Sequence, residues 1–204
     1  MTFAADLKAG LLGHLGQSWI TFLPGWNTQR RVPWPGGTPR ALLLHHTAAA
    51  ATASQNPNAP GNRKGANRNV ITFIQTHYEM PAANFTLDRD GTVYIHSAYP
   101  VWHAGLGTFT GKAPWSQLRI PKDLGNDYML GVEIMSKGLT RDFTHAQEES
   151  LVFLLRACRQ AAGWSNIGLL RRPQHKDWTG RKIDTRYSNA QIGQMIETHG
   201  YVQG

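Results

Sequence analysis

The sequence predicts an α/β fold in which one β-sheet carries helices against it. Three observations lead there: short apolar runs of strand length, amphipathic stretches of helical period between them, and two capping boxes near the C-terminus. The chain has 204 residues, 41% of them hydrophobic, which suits one compact domain whose core needs no disulfide.

Leu7, Leu11 and Leu15 recur at helical spacing and predict a short N-terminal helix packed on the domain. Residues 16–39, "GQSWITFLPGWNTQRRVPWPGGTP", are rich in Gly, Pro and Trp and read as an irregular segment. Residues 1–39 are therefore expected to lead into a main domain over 40–204. "ALLLHHT" (41–47) is fit for a buried strand, and the small residues of 48–65 read as a long functional or mobile loop. The next segment places Val70, Phe73, Ile74 and His77 on one helical face.

"NFTLDRDG" and "TVYIHSAY" form a hairpin turned at Asp90-Gly91, and "DYMLGVEIMS" (127–136) is a strand with Glu133 in its middle. Thr144 with Gln147 opens a long helix to about Ala162, and Ser188 with Gln191 opens a final helix ending near Gly200. The single cysteine, Cys158, lies in an apolar helical stretch and reads as a buried, inert thiol.

No apolar run approaches the ~18 residues that span a bilayer, so no stable membrane insertion is expected. The N-terminus lacks the cationic start of a secretory signal, which predicts synthesis in the cytoplasm and later release. The formal net charge of +8 favours a polyanionic partner: nucleic acid, an anionic membrane or an anionic bacterial wall. The basic residues are dispersed, and no zinc-finger spacing, RNA-binding signature or basic helix points to nucleic acid.

"HKDWTGRKID" (175–184) sets a histidine, a lysine and an aspartate close together. A solvated loop explains the charges, whereas a metal site needs a third ligand from elsewhere. His45 is the natural partner, because it ends a buried strand at a sheet edge, and catalytic zinc keeps three protein ligands with a fourth position open. Alone, a histidine at a strand end is more often a hydrogen-bonded structural residue than a ligand, and the spacing in 175–184 is a weak signal, so the structural reading wins on either piece.

Together, "LLLHHTA", "NFTLDRDGTVY", "WHAG", "LGVEIMS" and "HKDWTGRKID" form an ordered series. Over residues 40–200 it resembles the zinc-dependent N-acetylmuramoyl-L-alanine amidases, the type 2 amidase and peptidoglycan-recognition-protein family, and among them the amidase domains of phage endolysins. The resemblance implies a single mixed sheet flanked by helices and one zinc per chain on His45, His175 and Asp184. It matches Lys182 and Glu133 to further site positions, and it implies a monomer acting on bacterial peptidoglycan. One departure is Ala83, where many members carry a tyrosine.

Amide hydrolysis needs an activated water, a Lewis acid on the carbonyl and support for the oxyanion. Zinc suits the first two tasks, Glu133 can move the proton from water to the leaving amine, and Lys182 suits the oxyanion. His103 and Asn84 are candidates for substrate contact or for structural hydrogen bonds. His46 should point away from its neighbour, to the core or a supporting role. His77 reads as a core histidine, and His14, His96, His145 and His199 as surface residues. Trp102 and Trp115 can border a sugar-binding groove. A peptidoglycan-binding module without catalysis is the alternative function, although such members typically lack the third ligand. A nucleic-acid binder explains the charge but none of the motif order.

Overall fold

The computed structural model describes residues 2–28, 33–48, 68–76, 78–138 and 140–199. His77, and the loop expected over 48–65 apart from Ala48, lie outside these residues. Five strands form one mixed sheet: β1 (Ile20–Phe22), β2 (Ala41–His46), β3 (Phe85–Leu87), β4 (Val93–Ile95) and β5 (Met129–Ile134), in the order β1-β4-β3-β5-β2. Among the described residues only the β3–β4 hairpin pairs antiparallel, and the other three pairings are parallel. Its turn uses Gly91 at φ +89°, a conformation open to glycine, with Asp90 Oδ1 accepting from Thr92 N at 2.8 Å.

Among the described residues the α-helices are α1 (Phe3–Leu15), α2 (Arg68–Thr76), α3 (Gly125–Tyr128), α4 (His145–Ala162), α5 (His175–Trp178) and α6 (Asn189–Thr198). The expected stripe on α1 buries Leu7, Leu11 and Leu15, and the helix packs on α4. Gly10 allows the close approach, since a Cβ there would lie 3.1 Å from Ala157 Cα. Both capping boxes form, at Thr144–Gln147 and Ser188–Gln191. Gln147 also reaches the Leu87 and Met135 carbonyls, which locks the start of α4 to the sheet.

The strands alternate as their period of two requires. Leu42 and Leu44 of β2, with Leu130, Val132 and Ile134 of β5, join the main core under α1, α4 and α6. Ala41, Leu43 and Met129 face a second core built around Phe109, Leu118 and Trp178. Cys158 is fully buried, and burial pushes its thiol pKa up, which keeps it inert.

Two expectations change. The segment expected to be irregular contains β1, an edge strand parallel to β4, so the N-terminal region contributes to the sheet. On α2 the buried stripe is Ile71 and Ile74, whereas Phe73 is half exposed and borders a cavity with Val70. Among the described residues no helix is long and apolar enough to cross a membrane.

Candidate active site

The site lies at the C-terminal ends of β2 and β5, which run parallel with His45 directly beside Glu133. Adjacent strands in register send both side chains to one face, where the apolar series Leu43 and Met129 gives way to polar groups. The outer edge of β2 is not left bare. The segment before α5 docks on it, with Leu44 N donating to the Pro173 carbonyl at 2.9 Å and Leu44 bridged to Gln174. His175, first residue of α5 rather than part of a loop, is thereby delivered against His45.

Asp184 is fixed from the same side. Gln174 Oε1 accepts from Thr185 N at 3.0 Å and from Thr185 Oγ1 at 2.7 Å. Lys176 Nζ donates to the Thr185 and Tyr187 carbonyls at 2.6 and 2.7 Å. His46 completes the hold, with Nε2 2.9 Å from Asp184 Oδ1, so its role is to support the carboxylate. Burial opposes ionisation of Asp184, but the imidazoles of His175 and His46 in contact with it prevail and hold the carboxyl well below the usual range. His46 is raised in return.

The hydrogen-bond partners determine the imidazole tautomers. His103 Nε2 faces the Met129 carbonyl at 2.8 Å and must carry hydrogen. Burial lowers the His103 pKa to about 4, so the ring is neutral and its Nδ1 is an acceptor. That acceptor lies 3.2 Å from His45 Nε2, which therefore donates. Burial, with His175 and His103 beside it, lowers the His45 pKa well below 6.5, leaving a lone pair on Nδ1. His175 Nε2 donates to the Ala104 carbonyl at 3.1 Å, which directs its lone pair to Nδ1 as well.

The two Nδ1 atoms are 2.8 Å apart, and Asp184 Oδ2 is 3.3 Å from His175 Nδ1. Two lone pairs and a carboxylate at such distances repel unless a proton or a cation lies among them. His45, His175 and Asp184, all buried, are thus a donor set able to hold a metal ion, and the residues fit zinc. Each histidine has its second nitrogen anchored, to His103 or to a backbone carbonyl.

The three donors open on a cavity of about 540 Å³ that Glu133, Lys182, His103, Val70 and Phe73 also line. Glu133 Oε1 is 4.0 Å from His45 Nδ1, and its Oε2 is buried with no hydrogen-bond partner among the described residues. Burial, then the charge of Asp184, pushes its pKa up to about 7. Lys182 is exposed at the rim, and a second cavity of about 330 Å³ continues past it to Trp102, Tyr78 and Arg181. Tyr78 and Trp102 meet edge to face, with ring centroids 6.1 Å apart.

Asn84 is a correction. It is fully buried, donates to the Ser97 and Tyr99 carbonyls and accepts from Gly131 N at 2.8 Å, so its amide is consumed tying strands together. His103 borders both cavities, yet both its ring nitrogens are taken. Trp115 stacks on Phe109 and donates to the Leu169 carbonyl, packing rather than lining a groove. His96 is not a surface residue: it is buried between Thr86 and Gln75, and burial lowers its pKa to about 3. Ala83 is fully buried, away from the cavity walls. Sequence reasoning missed Arg89, a buried cation whose Nη1 donates to the Met135 and Asp142 carbonyls and to Gln147 Oε1, and lies 3.8 Å from Asp142 Oδ2. The charged "LDRDG" turn looks like a solvated one.

A family profile described as N-acetylmuramoyl-L-alanine amidase matches residues 35–187. Among solved structures, a selenomethionine derivative of AmpD is similar at 17% identity and a TM-score of 0.53, over 86% of this chain and 99% of that one. The Ph2119 endolysin from Thermus scotoductus MAT2119 bacteriophage Ph2119 is similar at 16% identity and a TM-score of 0.50, over 89% and 99%. Identities this low speak to the fold. No curated protein sequence matches the chain.

Proposed function

The chain belongs to the N-acetylmuramoyl-L-alanine amidase family, and from that premise we propose that it cuts bacterial peptidoglycan with the help of one zinc ion. The bond is the amide between the lactyl group of N-acetylmuramic acid and L-alanine of the stem peptide. The observation that carries this reading is the convergence of His45, His175 and Asp184 on one point of an open cavity, with Glu133 beside them.

Zinc, when bound by these three residues, supplies Lewis acidity that makes water more acidic and polarises an amide carbonyl. The remaining work falls to the chain. His103 and the Ala104 carbonyl hold the two imidazoles with their lone pairs inward, and His46 holds the far oxygen of Asp184. Glu133 takes the proton of the attacking water and passes it to the departing alanine nitrogen. A carboxylate whose pKa is pushed up to about 7 is matched to both halves of that transfer. Lys182, a flexible cation at the rim, supports the charge that develops on the carbonyl oxygen. Val70 and Phe73 give the cavity an apolar wall.

The same proposal places the protein's action at the cell wall, as an endolysin acts, with its +8 charge drawing it to anionic wall polymers. Purified walls digested with the protein should release stem peptides with a free L-alanine amino group, and a chelator should stop this. Walls that bind the protein while releasing no such end would instead identify a peptidoglycan-binding module.

A further inference from the structure

A second cluster of metal-ligating side chains lies on the surface between two helices, away from the cavity. We propose that His145, Glu148 and His199 form a second divalent transition-metal site that ties the C-terminal end of α6 to the first turns of α4. Each residue offers one ligand atom, and the three atoms lie within 4.8 Å of one another. His145 and Glu148 are three apart on α4 and share a face. His199 is the C-terminal cap of α6. Its ring lies 4.8 Å from that of His145, tilted by 44°, and its Nε2 is 3.6 Å from Glu148 Oε2.

The backbone is already committed to this arrangement. Ile192, Met195 and Ile196 bury α6 in the same core as Leu151 and Leu155 of α4, so the ligands are presented by packed helices. The His199 side chain is only 10% exposed and that of Glu148 27%, while His145 is open to solvent. Two imidazoles and one carboxylate favour zinc, cobalt, nickel or copper over magnesium or calcium, which prefer oxygen. Donors around a tetrahedral zinc lie ~3.3 Å apart, given bonds of about 2.0 Å, so the 3.6 Å pair needs only a small adjustment. The electrostatics also favour a cation. The C-terminal end of α6 is the negative end of its dipole, and the full charge of Glu148 exceeds the opposing half-charge at the start of α4.

Occupation would stiffen α6, whose leading segment carries Asp184 and Tyr187. The test is zinc uptake by untagged, metal-stripped protein, read by equilibrium dialysis with elemental analysis. Wild type should take up two equivalents. His199→Ala and His145→Ala should each weaken one equivalent by about 10²-fold or more, because metal free energy is shared among few ligands. Asp184→Ala should lose the other equivalent and keep this one, which separates the present inference from the catalytic assignment. Glu148→Gln keeps the side-chain shape and should weaken the same equivalent as the histidine variants. Amide hydrogen exchange in α6 should slow when the second equivalent binds to wild type, and not in His199→Ala. Uptake of a single equivalent by wild type, or a second one retained at unchanged affinity by both histidine variants, would overturn the proposal.

Discussion

Gly131→Ala should weaken metal binding at the proposed His45–His175–Asp184 site without touching any of those residues. Gly131 lies in the middle of β5, where alanine is conformationally ordinary, but the ring of His103 occupies the space a side chain would need. A Cβ there would lie 2.4 Å from His103 Cγ and 2.5 Å from its Nδ1, where ordinary contact begins at 3.4 Å. The ring must therefore move by about 1 Å, the difference between 2.4 and 3.4 Å. Its Nδ1 already stands 3.2 Å from His45 Nε2, and the Met129 carbonyl holds its other nitrogen at 2.8 Å, so one of these bonds is lost. Losing the partner that orients a ligand typically costs ~10- to 100-fold in metal affinity. Overpacking a core takes a further ~1–3 kcal/mol from stability. Competition with a chromophoric chelator measures the first effect and thermal melts the second. In Gly131→Ala/His103→Ala the clash disappears, so the stability loss should be less than the sum of the two single losses. Wild-type zinc affinity in Gly131→Ala, or strict additivity in the double variant, would refute the view that His103 is wedged between β5 and His45.

Glu133→Gln should keep its metal and lose turnover by ~10²-fold or more, read as cleavage of a muramoyl-peptide beside zinc content. Lys182→Ala should likewise keep metal and cost ~10²- to 10³-fold in the rate constant for cleavage. Leu11→Ala, at a fully buried position where α1 meets the main core, should destabilise by ~2–5 kcal/mol in denaturant melts. An unchanged midpoint would mean that α1 packs only loosely. Binding to purified walls should weaken from low to high salt in sedimentation, because a +8 chain meets anionic polymers through screened charge.

Much of this architecture is legible in the sequence, for reasons that differ by element. β2 and β5 announce themselves because each is an apolar run of strand length, and their parallel register brings His45 and Glu133 together. The α4 and α6 starts are legible because a capping box is a local device, complete within four residues. β1 is not legible: three residues amid Gly, Pro and Trp carry no period, and the pairing partner β4 is about seventy residues away. The face of α2 is misjudged because Val70 and Phe73 border a cavity, so the apolar stripe does not mark the buried side alone. Asn84, His96 and Arg89 look like surface or site residues, since the carbonyls and side chains that satisfy them come from distant segments. The pairing of His145 with His199 is hidden for the same reason, as it depends on how α6 crosses α4.

The most direct measurement of the central claim is the zinc content and amide-cleavage rate of Asp184→Ala beside wild type. In wild type the buried Asp184 carboxylate faces two imidazoles whose lone pairs point inward, 2.8 Å apart. Removing it should empty this site of zinc and abolish release of L-alanine ends from peptidoglycan, while the fold, read by circular dichroism, persists. An Asp184→Ala protein that holds zinc at this site and cleaves at the wild-type rate would contradict the account.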